Sequence, residues 1–487
     1  MGWDSTGDIV VMLPGITGSV LERDGMDVFG LTVGAGLSAL FSAGRSVSGL
    51  ALGADPVDRP VLDDGVRATR VATDAHLVPG LWKIDGYSAA ADYFVRHLRL
   101  APGVDYREFP YDWRRDNRVA ATRLRTESER WLHERRRTYP QARLVLLAHS
   151  MGGLVARYFL EVLGGWRDTR TLVTFGTPHR GSPNALDYLV NGYRKLFGLV
   201  DLSDLMRSFT SVHQLLPIYP CVSINGGPML RPSELPIALP GLDPRRVKAA
   251  DEFHREIENA VARNLDDEKY RTHGYALHPV VGCEHRTAQS AWWRAEVLEM
   301  RSDYPTGALN HGASADVGVD MGIDMGMDMG GDGTVPRVSA TPIELSDNGG
   351  EWFSGTRHAS LQNAEQVLRQ IRHMVVSPSF RLGRFRAMAP VTVSLDLDDV
   401  YPPDEQPVIH VRPSTPATDL VVTVQPLTDS GEPTTVEVPL VEEWCPVALP
   451  VTRQGCYRVT VTGEDVDPAS DVFVVAPSEH TAQRMAG

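Results

Sequence analysis

Ala148-His149-Ser150-Met151-Gly152-Gly153 is the stretch on which the reading of this chain turns. Arg143-Leu-Val-Leu-Leu-Ala-His149, leading into it, reads as a buried strand. Leu154-Val-Ala-Arg-Tyr-Phe-Leu-Glu-Val-Leu163, leading out, reads as a helix that stops at Gly164-Gly165. Ser150 then sits on the sharp turn between them. A serine held there lifts its hydroxyl above the sheet, and the helix behind it aims its first N–H groups at any oxyanion formed nearby. The turn needs small neighbours, because the serine backbone is strained and helix and strand pack closely. Gly152 and Gly153 meet that need, and Ala148 stands where such an elbow usually has its first glycine.

The elbow does not stand alone. Asp8-Ile-Val-Val-Met-Leu13 is a continuous apolar run ending at Pro14-Gly15, as a central parallel strand should. Arg107–Asp112, Arg170–Gly176 and Ala276–Gly282 read as further strands, and a long charged helix is expected over Val119–Thr138, closed by Pro140. Strands alternating with helices imply a doubly wound α/β sheet, here of the α/β-hydrolase type. Residues 183–270 break the rhythm. They are helical and mixed in polarity, with Leu202, Leu205, Met206, Leu215 and Leu216 available for one apolar face. They read either as a lid inserted between late strands or as an ordinary helical excursion.

Residues 312–331 are low in complexity: Asp316, Asp320, Asp324 and Asp328 recur among Gly and Met, in step with Asp332. Aspartates four apart do not reproduce the alternating ligands of an EF-hand loop, so a flexible repeat is favoured over a calcium site. Beyond Pro378 the texture changes to short alternating strands: Val391–Leu395, Val408–Arg412, Leu420–Val424, Thr435–Leu440, Cys456–Val461 and Asp471–Val475. Turns rich in Pro, Gly, Asp and Ser separate them, which implies an all-β immunoglobulin-like sandwich. The expected division is 1–385 for the hydrolase part and 388–487 for the sandwich.

A net charge of −14 argues against nucleic acid and against electrostatic docking on anionic lipid. No run is long and apolar enough to span a bilayer; the nearest, Gly30–Gly44, is short and rich in Gly and Ser. No basic segment and apolar core of a secretion signal follow Met1, so the expected location is cytoplasmic. The four cysteines lack metal spacing. Cys445 and Cys456 either face each other across a hairpin or remain free thiols.

A serine nucleophile needs a base to take its proton and an acid to orient that base. In this fold they follow in the order Ser, Asp or Glu, His. Gly331-Asp332-Gly333-Thr334-Val335-Pro336 supplies a glycine-flanked aspartate in a loop, and Arg357-His358-Ala359 follows before the last helix. Ser150, Asp332 and His358 are therefore the expected triad. Asp328 lacks the Gly-Thr-Val-Pro that follows Asp332. His149 reads as a packing residue, His373 as a surface one, and His179, at a strand end, as a pocket-lining residue. The oxyanion hole is expected from the Met151 N–H and a second N–H in Pro14–Ser19, from either Ile16 or Thr17. Gly15 and Gly18 let that loop approach a substrate.

Taken together, Leu13-Pro-Gly-Ile-Thr-Gly-Ser19, Phe109-Pro-Tyr-Asp-Trp-Arg114, Ala148–Gly153, Phe175-Gly-Thr-Pro-His-Arg-Gly-Ser182, Ser211-Val-His-Gln-Leu-Leu-Pro217, Gly331–Pro336 and Arg357-His358 resemble the lecithin:cholesterol acyltransferase family. The resemblance runs from about residue 8 to 375 and excludes the sandwich. It implies a hydrolase core with a mobile cap over a lipid-sized pocket, Ser150 as acyl acceptor, His358 as base and Asp332 as orienter. It favours Thr17 as the first-loop oxyanion residue, whereas general lipase logic favours Ile16. It sets Asp112 and Trp113 at the border of the active-site floor, or else as anchors of that strand end. The cysteine-clamped membrane-binding loop of the eukaryotic members has no counterpart here; Leu31–Leu52 occupies its place, either touching lipid or buried.

The expected chemistry is acyl-ester cleavage through an acyl-Ser150, with no metal or cofactor required. Water as acceptor makes a lipase or phospholipase, and a bound alcohol makes an acyltransferase. The expected partners are a lipid or other acyl ester and, transiently, a membrane surface. A reading of another class makes the chain a gated effector or interaction subunit that meets a protein partner through its sandwich.

Overall fold

The computed structural model describes residues 7–29, 49–73, 76–77, 83–195, 200–304, 330–345, 351–376, 391–427, 431–441, 443–464, 466 and 468–475. Most of Leu31–Leu52, and nearly all of the acidic repeat, lie outside the described residues.

Six strands form the central sheet: β1 (Ile9–Leu13), β2 (Tyr106–Glu108), β3 (Leu144–His149), β4 (Thr169–Phe175), β5 (Ala276–Gly282) and β6 (Trp352–Ser354). They lie in the order β6-β5-β4-β3-β1-β2, and every pairing is parallel. The reason β1 and β3 are apolar throughout is visible in their packing. Ile9, Val11, Leu13, Leu144, Leu146 and Ala148 enter one hydrophobic cluster, while Val10, Met12, Val145 and Leu147 enter the cluster on the opposite face. A strand covered on both sides has no solvent face on which to alternate.

Helices cover both faces. α1 (Ser88–Leu98) contributes Phe94 and the C-terminal α6 (Glu365–Val376) contributes Leu368 and Ile371 to one cluster. On the other face lie α2 (Asn117–Arg135), α3 (Met151–Arg157), α4 (Pro183–Val190) and α5 (Pro244–Leu265). The long charged helix thus begins slightly earlier than its sequence suggests, because Asp116 caps it: its carboxylate accepts the Arg118 N–H at 2.8 Å. It ends at Arg135, a turn before Thr138.

The helix behind the elbow is α-helical only to Arg157 and continues as a π turn over Tyr158–Val162, closed by a 3.2 Å bond from Leu163 N–H to the Tyr158 carbonyl. That turn buries Glu161, whose carboxylate accepts from Tyr275 Oη (2.5 Å), Tyr270 Oη (2.9 Å), Asn264 Nδ2 (2.8 Å) and Arg157 Nη1 (3.3 Å). Within 183–270, the side chains of Leu202, Leu205, Met206, Leu215 and Leu216 are buried in the main cluster.

The C-terminal region is rich in strands: β7 (Val393–Asp396), β8 (Val400–Tyr401), β9 (Val408–Pro413), β10 (Ala417–Pro426), β11 (Thr434–Val441), β12 (Cys445–Ala448), β13 (Gly455–Thr462) and β14 (Ala469–Val475). They make two sheets, β7-β9-β12 and β8-β14-β13-β10-β11. One cluster joins them, drawing Val393, Leu395, Ile409 and Val411 from the first sheet and Leu420, Val422, Val459 and Phe473 from the second. Cys445 and Cys456 belong to different sheets, and all four cysteines are free. Among the described residues no helix is long and apolar enough to cross a membrane.

Candidate active site

Parallel strands in register bring their C-terminal ends together. Leu13 lies beside Ala148, His149 beside Phe175, and Phe175 beside Val280. The residues that follow these ends therefore converge on one edge. Ser150 leaves β3 with φ 50° and ψ −125°, a conformation that L-residues rarely adopt. Its N–H donates to the Phe175 carbonyl at 2.8 Å, which ties the turn to β4. Space behind it is tight. A Cβ on Gly152 would lie 2.5 Å from the Pro14 carbonyl oxygen, and one on Gly153 would overlap the Thr177 side chain.

His358 Nε2 lies 2.9 Å from Ser150 Oγ, and His358 Nδ1 lies 2.7 Å from Asp332 Oδ2. An ionised carboxylate only accepts, so Nδ1 carries the proton toward Asp332 and Nε2 is left to accept from the serine hydroxyl. Ser150, Asp332 and His358 are all buried. Burial pushes the Asp332 carboxyl up. His358 and the N–H groups of Val335 (2.7 Å) and Thr334 (2.9 Å) outweigh that, and hold it below the ordinary carboxylate value. The pair sits directly over the end of β4. Gly176 has φ 54°, and a Cβ there would come within 2.5 Å of Asp332 Oδ2 and 2.9 Å of His358 Nδ1.

The loop after β1 closes on the same point. Gly18 N–H donates to the Gly15 carbonyl at 3.1 Å, which makes a turn with Thr17 at φ 61°. A Cβ on Gly15 would lie 2.9 Å from Ser150 Cβ. Ile16, Thr17 and Met151 are buried, and their N–H groups donate to no acceptor among the described residues.

From the Tyr111-Asp112-Trp113-Arg114 segment, Tyr111 and Trp113 grip this loop. Tyr111 Oη donates to the Pro14 carbonyl (2.9 Å), and Tyr111 N–H donates to Ser19 Oγ (3.0 Å). Trp113 Nε1 donates to the Ser19 carbonyl (3.0 Å). Asp112 pairs with the fully buried Arg114, which also reaches Asp64 at 2.9 Å and the Leu50 carbonyl at 3.1 Å. Ser211 Oγ in turn donates to the Trp113 carbonyl at 2.5 Å. His179 is buried away from this grip. Its Nε2 lies 3.3 Å from Thr174 Oγ1, and burial, followed by the charges of Arg157 and Arg180, keeps it neutral.

His149, which the sequence reads as a packing residue, and Tyr87, which it passes over, belong to the same network. His149 Nε2 lies 2.9 Å from the His358 carbonyl, so that nitrogen carries the proton and Nδ1 accepts from Tyr87 Oη at 2.9 Å. Tyr87 Oη accepts in turn from the Gly15 N–H at 2.8 Å. Burial, and then the neighbouring His358, lower His149 to about 3, so the ring is neutral. His149 therefore does more than fill space: with Tyr87 it ties the first loop to the His358 segment. No local pattern around Tyr87 marks this, because its partners lie 62 and 72 residues away in the chain.

No curated protein sequence matches the chain. Among solved structures, a Bacillus licheniformis lipase in its propeptide form is 10% identical, with 96% of this chain and 94% of that one covered and a TM-score of 0.34. The mature form of the same lipase is 13% identical over 76% of this chain and 91% of that one, with a TM-score of 0.31. A CARDB domain from Pyrococcus furiosus is 20% identical over 18% of this chain and 94% of its own length, with a TM-score of 0.13. Residues 101–236 match the family model for lecithin:cholesterol acyltransferase. In the segment that carries Tyr111–Arg114, the Ser150 elbow and Thr177–Ser182, this chain is thus similar to the lecithin:cholesterol acyltransferase family.

Proposed function

We propose that the chain is a serine-dependent hydrolase of lipid acyl esters that works through an acyl-Ser150. The observation that carries this reading is the hydrogen-bonded line from Ser150 Oγ through His358 to Asp332, at 2.9 and 2.7 Å. As Ser150 Oγ bonds to the ester carbonyl carbon, its proton passes to His358 Nε2. Asp332 stabilises the imidazolium and holds its tautomer. The carbonyl oxygen, now anionic, takes hydrogen bonds from the Met151 N–H and from the Ile16 or Thr17 N–H. Collapse breaks the bond to the leaving alcohol, which takes the proton from His358. Water then repeats the sequence on the acyl-serine, releasing the acid and restoring the Ser150 hydroxyl. No metal or cofactor enters these steps.

Trp113 serves this chemistry by bracing the first loop, which its contact with Ser19 supports, and Asp112 by holding Arg114 at the strand end. His179 lines the pocket, held against Thr174 at the end of β4. We further propose that residues about 183–270 cap the acyl pocket and that the chain divides into 1–385 and 388–487. Limited proteolysis yielding two stable fragments cut near 377–390 supports that division; cleavage elsewhere first refutes it.

The test is release of acid from a phosphatidylcholine vesicle and from a short p-nitrophenyl ester, with Ser150→Ala alongside. Loss of turnover by about four to six powers of ten in the variant is expected. Activity that survives the substitution overturns the reading. The match of residues 101–236 to an acyltransferase family favours a second outcome, in which a bound alcohol displaces water. With a long-chain alcohol added, ester product supports the transferase, and free acid alone excludes it.

A further inference from the structure

The strand-rich C-terminal unit touches the candidate site where its geometry is most exacting. Arg357, the residue before His358, is half-buried and reaches into that unit. Its Nη1 lies 2.7 Å from Asp471 Oδ2 on β14, and the Asp471 side chain is fully buried. Burial works against this guanidinium, and the Asp471 carboxylate more than offsets it, so Arg357 stays charged. Asp471 is held in turn, since its Oδ1 accepts the Val472 N–H at 2.9 Å.

A second clamp closes on the residues that follow His358. Arg458 on β13 grips Asp85 through Nε at 2.9 Å and also through Nη2. Asp85 N–H donates to the Ala359 carbonyl at 3.0 Å, and Asn363 Nδ2 donates to the Asp85 carbonyl at 3.2 Å. Gln362 Nε2 donates to the Gly86 carbonyl at 2.8 Å. The turn His358–Asn363 therefore hangs on Asp85–Gly86, and Asp85 hangs on β13.

A third contact reaches the acid. Ser394 Oγ on β7 donates to the Glu284 carbonyl. The next residue, His285, donates its N–H to the Gly331 carbonyl at 3.1 Å, beside Asp332. It also bonds the Gly355 carbonyl through Nε2 at 2.7 Å, two residues ahead of Arg357. The C-terminal unit thus brackets the His358 segment on both sides and supports the strand of chain that carries Asp332.

We propose that the C-terminal two-sheet unit is a positioning element of the active site, in which Asp471 acting through Arg357 and Arg458 acting through Asp85 fix the base for its proton transfers. The inference rests on the reading of His358 as the base. Neither Asp471 nor Arg458 touches the reacting atoms. Their contribution is to hold Nε2 at its 2.9 Å distance from Ser150 Oγ. A misplacement of about 1 Å costs roughly a hundredfold in rate, so the effect falls on turnover and not on substrate affinity.

The experiment uses the full chain and compares wild type with Asp471→Asn, Asp471→Glu, Arg458→Gln and Arg458→Lys. Cleavage of a p-nitrophenyl ester gives kcat and KM, a fluorophosphonate probe gives the labelling rate of Ser150, and thermal unfolding reports the fold. Asp471→Asn and Arg458→Gln are expected to lower kcat and the labelling rate by about 10- to 100-fold, with KM within about twofold. The charge-preserving Asp471→Glu and Arg458→Lys are expected to recover part of that loss. Arg458 is partly exposed, at 27%, so its variants keep the test decisive if Asp471→Asn does not fold. Folded variants with kcat within twofold of wild type overturn the proposal. So does a rise in KM that matches the fall in kcat, as general loosening gives. A wild-type chain without Ser150-dependent cleavage fails at the earlier step: it removes the reading of His358 and this inference with it.

Discussion

At the scale of single residues, the candidate site is a set of unfavourable arrangements held in place by their neighbours. Ser150 keeps a backbone conformation that costs on the order of 1–3 kcal/mol. It is retained because Gly152, Gly153 and Gly15 allow the chain to close around it. His149 and Tyr87 are the less obvious supports. Tyr87→Phe removes the acceptor of the Gly15 N–H and the donor to His149 while leaving the ring's packing. We expect kcat to fall by roughly tenfold or more, since the Gly15 loop, proposed to supply an oxyanion donor, then has one polar tie fewer. Steady-state kinetics with a melting curve checks this, and unchanged kcat in a folded variant counts against a role for the tie. Ser150 was legible because strand, small-residue turn and helix are adjacent in sequence. Tyr87 was not, since what it does depends on partners far along the chain.

At the scale of elements, the Tyr111–Arg114 segment is the clearest case of a motif whose work is done beneath the site. Arg114 is fully buried between Asp112, Asp64 and the Leu50 carbonyl. Arg114→Ala leaves two carboxylates facing a void, so a loss of about 3–5 kcal/mol in unfolding free energy is expected, read from urea denaturation. A loss below about 1 kcal/mol would mean that water replaces the guanidinium readily. Gly153→Ala puts a methyl group into the Thr177 side chain, and a cost of about 1–3 kcal/mol is expected by the same measurement. A neutral result would show that the helix can retreat from β4. Strand cores were easy to read from their apolar runs, but ends were not. The α2 boundaries depended on the Asp116 cap, and the π turn at Tyr158–Val162 on seating Glu161 among Tyr270, Tyr275 and Asn264. Strands Val400–Tyr401 and Cys445–Ala448 went unread, because one is very short and the other carries Pro446.

At the scale of the whole molecule, buried histidines set the response to acid. Burial is the first cause lowering His149 to about 3 and His213, His254, His278 and His285 to about 4, and it also holds His179 well below its ordinary value. The unfolded chain protonates these groups as pH falls through about 6.5, while the folded chain resists until about 4 or below. Their neutral forms therefore favour the native state fully above pH 6.5, and that advantage is lost progressively between 6.5 and 4. The depressed Asp332 carboxyl acts in the same direction at lower pH, where its protonation is delayed by folding. Urea midpoints measured from pH 7.5 down to 4.5 should fall steadily; a flat profile to pH 5 would mean that these rings are solvated.

The sequence by itself determined the class of the central sheet, the serine on its turn and the order in which the aspartate and histidine follow. Each of these is written in local periodicity or in a short motif, where neighbours in the chain are also neighbours in space. Only the tertiary structure decided that His149 and Tyr87 link the first loop to the His358 segment. It alone brought Arg114 against Asp64 and the Leu50 carbonyl, and tied Asp471 and Arg458 to the chain before and after His358. These are polar contacts between residues tens to hundreds of positions apart. Such a contact is fixed by where packed strands and helices carry each side chain, and no local pattern encodes the meeting.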